Sequence, residues 1–208
     1  MVPISVYLNE IEYSIEPIFA TIWGERRRLV GLKEVADLAK VAEHKYRQAE
    51  FIQMNAQDAD DLMMGVGLHW DTYFGEDKKR FYKEKDGGKL EESIGVHQFA
   101  VNSMSGALLQ NARQGISIGH RQLANCPDGR MIGSQPLKNV IWQARDQATH
   151  HWEDGNLRPP VQNCFNALMN DFDPKFADYT IRNMAFDVIE LLGWTDKDNF
   201  KNDLMSLA

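Results

Sequence analysis

From Leu90 to Leu108 one line of residues, Leu90, Ile94, His97, Val101, Met104 and Leu108, advances by four and three positions. That step is the signature of a narrow helical seam of the kind found between packed helices. Beside it run Gly95, Ser103, Gly106 and Ala107, side chains small enough to let a neighbouring backbone come close, although glycine also weakens a helix. The spacing predicts a helix towards Gln114, with Gly115 as its stop. No stretch of the chain alternates convincingly as a β-strand, and there is no internal repeat or low-complexity linker. The expectation is a single all-α domain over residues 1–208, a helical bundle.

The remaining elements follow from similar signals. Tyr7, Ile11 and Ile15 share a helical face from Ile4 to about Trp23, with Pro17 expected to kink or restart it and Gly31 to break it. A second long helix carries Val35, Ala39, Ala42, Tyr46 and Ala49 and reaches towards Met64, with Gly65 and Gly67 weakening its end. Residues 70–85 mix aromatics with charge and end in a turn signal at Asp86-Gly87-Gly88; helix and loop both fit. Periodicity disappears from Ile118 to Pro136, the longest irregular connection, where Pro127-Asp128-Gly129 and Gly133 mark turns and Ser134 with Pro136 suggests a helix start. Pro159 and Pro160 open a helix through Met169. Asp173 and Pro174 open another that runs from Phe176 past Ile181 to Leu192, closed by Gly193, and the last dozen residues read as loose or a short helix.

Totals narrow the function. A formal net charge of −7 disfavours coating nucleic acid through bulk positive charge, yet leaves room for a local nucleotide or RNA site. The dense basic clusters, Arg26-Arg27-Arg28 and Lys78-Lys79-Arg80, read as solvated helix ends. Two cysteines, Cys126 and Cys164, build neither a disulfide framework nor paired zinc spacing. The N-terminus has no signal-peptide pattern and no apolar run approaches membrane-spanning length, so a reducing, cytoplasmic setting is expected.

Chemistry concentrates at 141–154, IWQARDQATHHWED. Taken as one helix, Ile141, Ala144, Ala148 and Trp152 form a buried stripe, while Gln143, Asp146, Gln147, His150 and Asp154 recur on the polar side. Asp146 and His150 lie one turn apart, so the carboxylate can orient the imidazole. Arg145 can swing its guanidinium to the same place, whereas His151 falls nearer the core. Imidazole, guanidinium and carboxylate together suit phosphodiester cleavage: the first moves a proton near neutral pH, the second neutralises phosphate oxygens. A ribose 2′-hydroxyl as internal nucleophile removes any need for a metal.

Arg145-Asp146, three residues, then His150 resembles the R-(N/H/D)-x-x-x-H motif of HEPN domains, within their broader R-x4–6-H pattern, and it sits late in an all-α chain after a long helix and a loop. The resemblance implies a helical bundle that dimerises, with motifs from both protomers facing each other as a metal-independent RNase site that requires no cofactor. By position, Arg145 would stabilise phosphate, His150 would be the catalytic histidine and Asp146 its polar support, with His151, Gln147 and Trp152 as supporting candidates. His151 also satisfies the looser spacing. Where some toxin members carry a tyrosine two positions after the histidine, a residue a partner antitoxin can modify, this chain has Trp152, which offers no hydroxyl. The partners implied are RNA, a second copy and, in a toxin–antitoxin or defence setting, an antitoxin protein.

Two rival readings remain. One is a non-catalytic HEPN-like module that binds a nucleotide, RNA or protein. The other is a metal-binding bundle using His44, His69, His97 and His150 with Glu43, Asp71 or Asp154, although neither Glu-x-x-His nor His-x-x-x-His spacing occurs. Trp142, Trp152 and Trp194 could stack on bases, but aromatics at helical spacing are more often core.

Overall fold

The all-α architecture is what this chain adopts. A computed structural model describes residues 2–83, 90–151 and 157–208. Among them are eight helices: α1 (Ile4–Met54), α2 (Ala59–Thr72), α3 (Lys78–Lys83), α4 (Leu90–His120), α5 (Leu137–His150), α6 (Pro159–Asp171), α7 (Ala185–Leu192) and α8 (Lys197–Met205). No helix among the described residues is long and apolar enough to cross a membrane. The backbone divides into two compact units, residues 1–25 with 99–208, and residues 26–98.

Neither Pro17 nor Gly31 interrupts α1, contrary to the sequence expectation. The carbonyl that Pro17 leaves without an amide belongs to Tyr13, whose side chain is 93% exposed, so water can serve it. Around it Ile15, Phe19 and Ile22 are buried and hold the helical register. Gly31 is exposed between buried Leu29 and Val35, where it costs about 1 kcal/mol relative to alanine without ending the helix. The break falls instead at 55–58. There Asp58 caps α2 by accepting from the Asp61 amide at 2.9 Å, and the Asp61 carboxylate accepts from the Gln57 amide at 3.2 Å.

In the unit of residues 26–98, the line Val35, Ala42 and Ala49 is turned inward, as are Leu29, Gly65 and Thr72. Gly65 sits mid-helix, not at a fraying end. A Cβ there would meet Gln53 Cγ at 2.6 Å and the Ala49 carbonyl oxygen at 3.0 Å, so α2 approaches α1 because that position carries no side chain. Residues 73–77 form a widened helical turn that leads into α3, which resolves the ambiguity as helix over 70–83; residues 84–85 and the Asp86-Gly87-Gly88 turn signal lie outside the described residues. Lys45 bonds Glu76 at 2.6 Å and Tyr46 donates to Asp77 at 3.0 Å, tying this turn to α1. The Arg26–Arg28 run lies within α1, not at a helix end.

The other unit holds a continuous apolar core. The seam of α4 is only partly realised: Val101 and Leu108 are buried with Ser105, Leu109, Ala112 and Ile116, while Met104 is exposed. Gly115 does not stop α4. It is buried against the Tyr7 ring, whose Cε1 would lie 3.0 Å from a Cβ at that position, and the Tyr7 hydroxyl donates to the Asn111 carbonyl at 2.9 Å. The irregular stretch before α5 contains two very short strands that no alternation announced, β1 (Met131–Ile132) and β2 (Gln135–Pro136), paired antiparallel. Gly129 and Gly133 have φ of 69° and 59°, as their turns require. Ser134 does not cap α5; its amide and hydroxyl both donate to Asp171 at 2.7 Å.

The C-terminal region departs further from expectation. Asp173 caps a short 3-10 turn (Pro174–Thr180), α7 starts separately at Ala185, and Ile181 between them is 78% exposed. Gly193 closes α7 with φ 69°, as anticipated. The last residues are not loose: Trp194, Phe200, Leu204 and Leu207 are completely buried. The Asp203 carboxylate accepts from Trp194 Nε1 at 2.8 Å and from Arg130 Nε at 2.7 Å, which joins α8 to the irregular stretch.

Candidate functional site

Helix α5 begins at Leu137, directly after Pro136 and close to the start that Ser134 with Pro136 suggests, and is described to His150 and the His151 cap. Its buried stripe of Ile141, Ala144 and Ala148 is as expected and extends to Leu137 and Val140. Trp152 and Asp154 lie outside the described residues.

The expected polar face divides in two. Gln143 and Gln147 are buried, and Gln147 completely so. The Gln147 amide donates to the carbonyls of Tyr179 and Arg182 at 2.8 and 2.7 Å, and its oxygen accepts from the Met184 amide at 3.0 Å. It therefore satisfies three backbone groups of the turn that leads into α7, and its side chain is used up in that role. The sequence reading missed this because a helical wheel separates polar from apolar residues, not solvated from buried ones.

Arg145, Asp146 and His150 occupy the other part. They line a cleft of about 210 Å³ together with Arg113 from α4 and Leu157, Arg158 and Val161 around the start of α6. Arg145 donates from Nε to Gln110 Oε1 at 2.5 Å and from a terminal nitrogen to Asp146 Oδ1 at 3.1 Å. The same Asp146 oxygen accepts from Arg113, whose guanidinium carbon lies 4.2 Å from the centre of the Trp142 ring. One carboxylate thus holds two guanidiniums on neighbouring helices, and Trp142 serves as the platform beneath one of them. Asp146 is thus engaged across helices, a use that its i,i+4 spacing to His150 did not announce. With Arg158 included, three guanidiniums share the cleft with a single carboxylate among the described residues. The described lining is thus net positive in a chain whose net charge is −7.

His151 is not among the cleft's lining residues; its Nδ1 lies 3.2 Å from the Ala148 carbonyl. Arg113, Arg158 and Gln110 escaped the sequence reading. Arg113 lies next to buried Ala112, one step off the apolar line of α4, and Arg158 precedes the Pro-Pro start of α6. Nothing in their local pattern marks them, because what unites them is the packing of three segments. Among the described residues no group of three His, Cys, Asp or Glu side chains is placed to hold a metal ion. His69, one member of the metal-bundle reading, packs its ring 5.0 Å from that of Tyr46.

An arrangement of this kind can bind an anion through two or three guanidiniums and move a proton through the His150 imidazole beside them. No family model matches the chain, and neither a curated protein nor a solved structure matches it.

Proposed function

We propose that the chain is a metal-independent endoribonuclease of the HEPN type, acting as a homodimer on RNA in a toxin–antitoxin or defence setting. The observation that carries this reading is the meeting of Arg145 and His150 in one cleft with two further arginines. Guanidiniums there would neutralise the non-bridging oxygens of a scissile phosphate as charge builds in the transition state. His150 would move the proton as the ribose 2′-oxygen attacks phosphorus and the 5′-oxygen leaves, giving a 2′,3′-cyclic phosphate and a 5′-hydroxyl. Asp146 touches neither oxygen in this scheme; it orients Arg113 and Arg145. A non-catalytic HEPN-like module is the second reading, favoured by the bonds that already engage Arg145 with Gln110 and Asp146.

The test is cleavage of an end-labelled RNA in the presence of a chelator. Arg145→Ala and His150→Ala should each lower the rate by about 10²-fold or more, with circular dichroism and sedimentation unchanged. A matching oligonucleotide with a 2′-deoxyribose at the cut position should resist. Cleavage at the wild-type rate by both variants would overturn the enzyme reading, and RNA binding without any cleavage would establish the second one.

A further inference from the structure

Within residues 26–98, the stretch from the end of α2 to α3 carries five aromatic side chains on its outside. Trp70, Tyr73, Phe74, Phe81 and Tyr82 are each at least half exposed, Phe81 at 74%. Such exposure of large rings is unusual in a folded chain and marks a surface that recognises something. The rings form two groups. Trp70 and Phe74 are stacked at 5.7 Å with an interplanar angle of 21°, and Tyr73 meets both edge-on. Phe81 and Tyr82 meet at 77°. Between the groups in sequence come Lys78 and Lys79, both exposed, and among the described residues neither belongs to an ion pair. Of the acidic neighbours, Glu76 is engaged by Lys45 and Asp77 by Tyr46 and Arg80, while Asp71 is exposed. A cavity of about 310 Å³ opens among the rings of Tyr73, Phe74, Phe81 and Tyr82, with Lys78 and the paired Arg80 and Asp77 also lining it, within the range of about 300–1,000 Å³ typical of ligand sites.

We infer that this aromatic–lysine surface is a stacking platform for single-stranded nucleic acid. Open ring faces accept bases of any sequence, and lysines beside them neutralise the backbone. Lysine is depleted from the cores of protein–protein interfaces, so a surface with Lys78 set among its rings and Lys79 exposed next to it in sequence fits a polyanion better than a second protein. The platform gains a role in substrate capture if the chain is the ribonuclease proposed above; for that role alone it rests on that reading.

The experiment measures anisotropy of a fluorescent, unstructured 12-nucleotide RNA with the full chain carrying His150→Ala. Adding Phe74→Ala and Phe81→Ala should weaken binding about tenfold or more for each ring removed. Lys78→Ala with Lys79→Ala should flatten the slope of log affinity against log salt by about 1.4. These positions are exposed, so the variants keep the wild-type circular dichroism. Unchanged affinity in the ring variants overturns the platform, as does a change in their oligomeric state without a change in RNA binding, which would make the surface a contact between copies. Loss of cleavage in the Arg145→Ala chain with intact ring-dependent binding separates the two proposals. So does ring-independent binding by a chain that still cleaves.

Discussion

Residues 26–98 and the unit formed by 1–25 with 99–208 both draw on aromatic residues, yet use them in opposite ways. In the larger unit Phe165, Phe176, Trp194 and Phe200 are sealed in the core, and Trp194 spends its single donor on Asp203. In the smaller one Trp70, Phe74, Phe81 and Tyr82 face outward, while its interior is lined by Leu29, Val35, Ala42 and Ala49 and by a glycine. Aromatic content therefore says little about stability until burial is known. A ring contributes folding energy only where its surface leaves water. An interior of small residues instead depends on helices approaching closely, and so on positions where nothing protrudes.

The contrast is sharpest at Trp194. Trp194→Ala should cost about 3–5 kcal/mol, because it opens a cavity in a dry core and removes a partner of Asp203. Chemical denaturation followed by circular dichroism measures it, and alkylation identifies the unit that opens. Burial pushes the Cys126 thiol up to about 11 and that of Cys164 up to about 12. Both belong to the larger unit and should resist iodoacetamide until that unit unfolds. Gly65→Ala should cost about 1–3 kcal/mol through overpacking, with the cysteines still protected, since the damage falls in the other unit. Equal alkylation in the two variants would erase the distinction. Phe81→Ala should change stability by no more than about 0.5 kcal/mol, although the same substitution is expected to weaken RNA binding.

The smallest effect concerns the cap of α8. Amide donation from Asn199, with Thr195 and the Asp198 amide adding to it, holds the Asp196 carboxyl below its ordinary value. The charged form is therefore favoured by folding. Its contribution is complete above the unfolded value near 3.9 and disappears as pH falls through the lowered native value. Asp196→Asn keeps a capping oxygen without the charge, so the wild-type advantage over it at neutral pH should vanish in acid. Urea midpoints of the pair between pH 7 and pH 2 check the sign.

The fold was legible where apolar spacing and burial coincide, as along Val35, Ala42 and Ala49 or Ile141, Ala144 and Ala148. It was misread where local propensity was given more weight than packing. Pro17 and Gly115 looked like interruptions, yet buried Ile15, Phe19 and Ile22 carry the helix past the first, and the Tyr7 ring needs the second to be small. At the cleft, the triplet on α5 could be found by spacing because it lies on one helix. Arg113 and Arg158 could not, since a one-dimensional pattern contains no term for what α4 and the start of α6 bring alongside it. Gln147 is the reverse case, a polar residue in the motif that turns out to hold backbone inside the core.

The carboxylate of Asp146 has one more consequence. It makes the two guanidiniums mutually dependent across 31 intervening residues, so a short motif on α5 is half of a device whose other half is written elsewhere. A homologous chain could preserve every letter from Arg145 to His150, lose the arginine at 113, and keep the spelling while letting its remaining guanidinium drift.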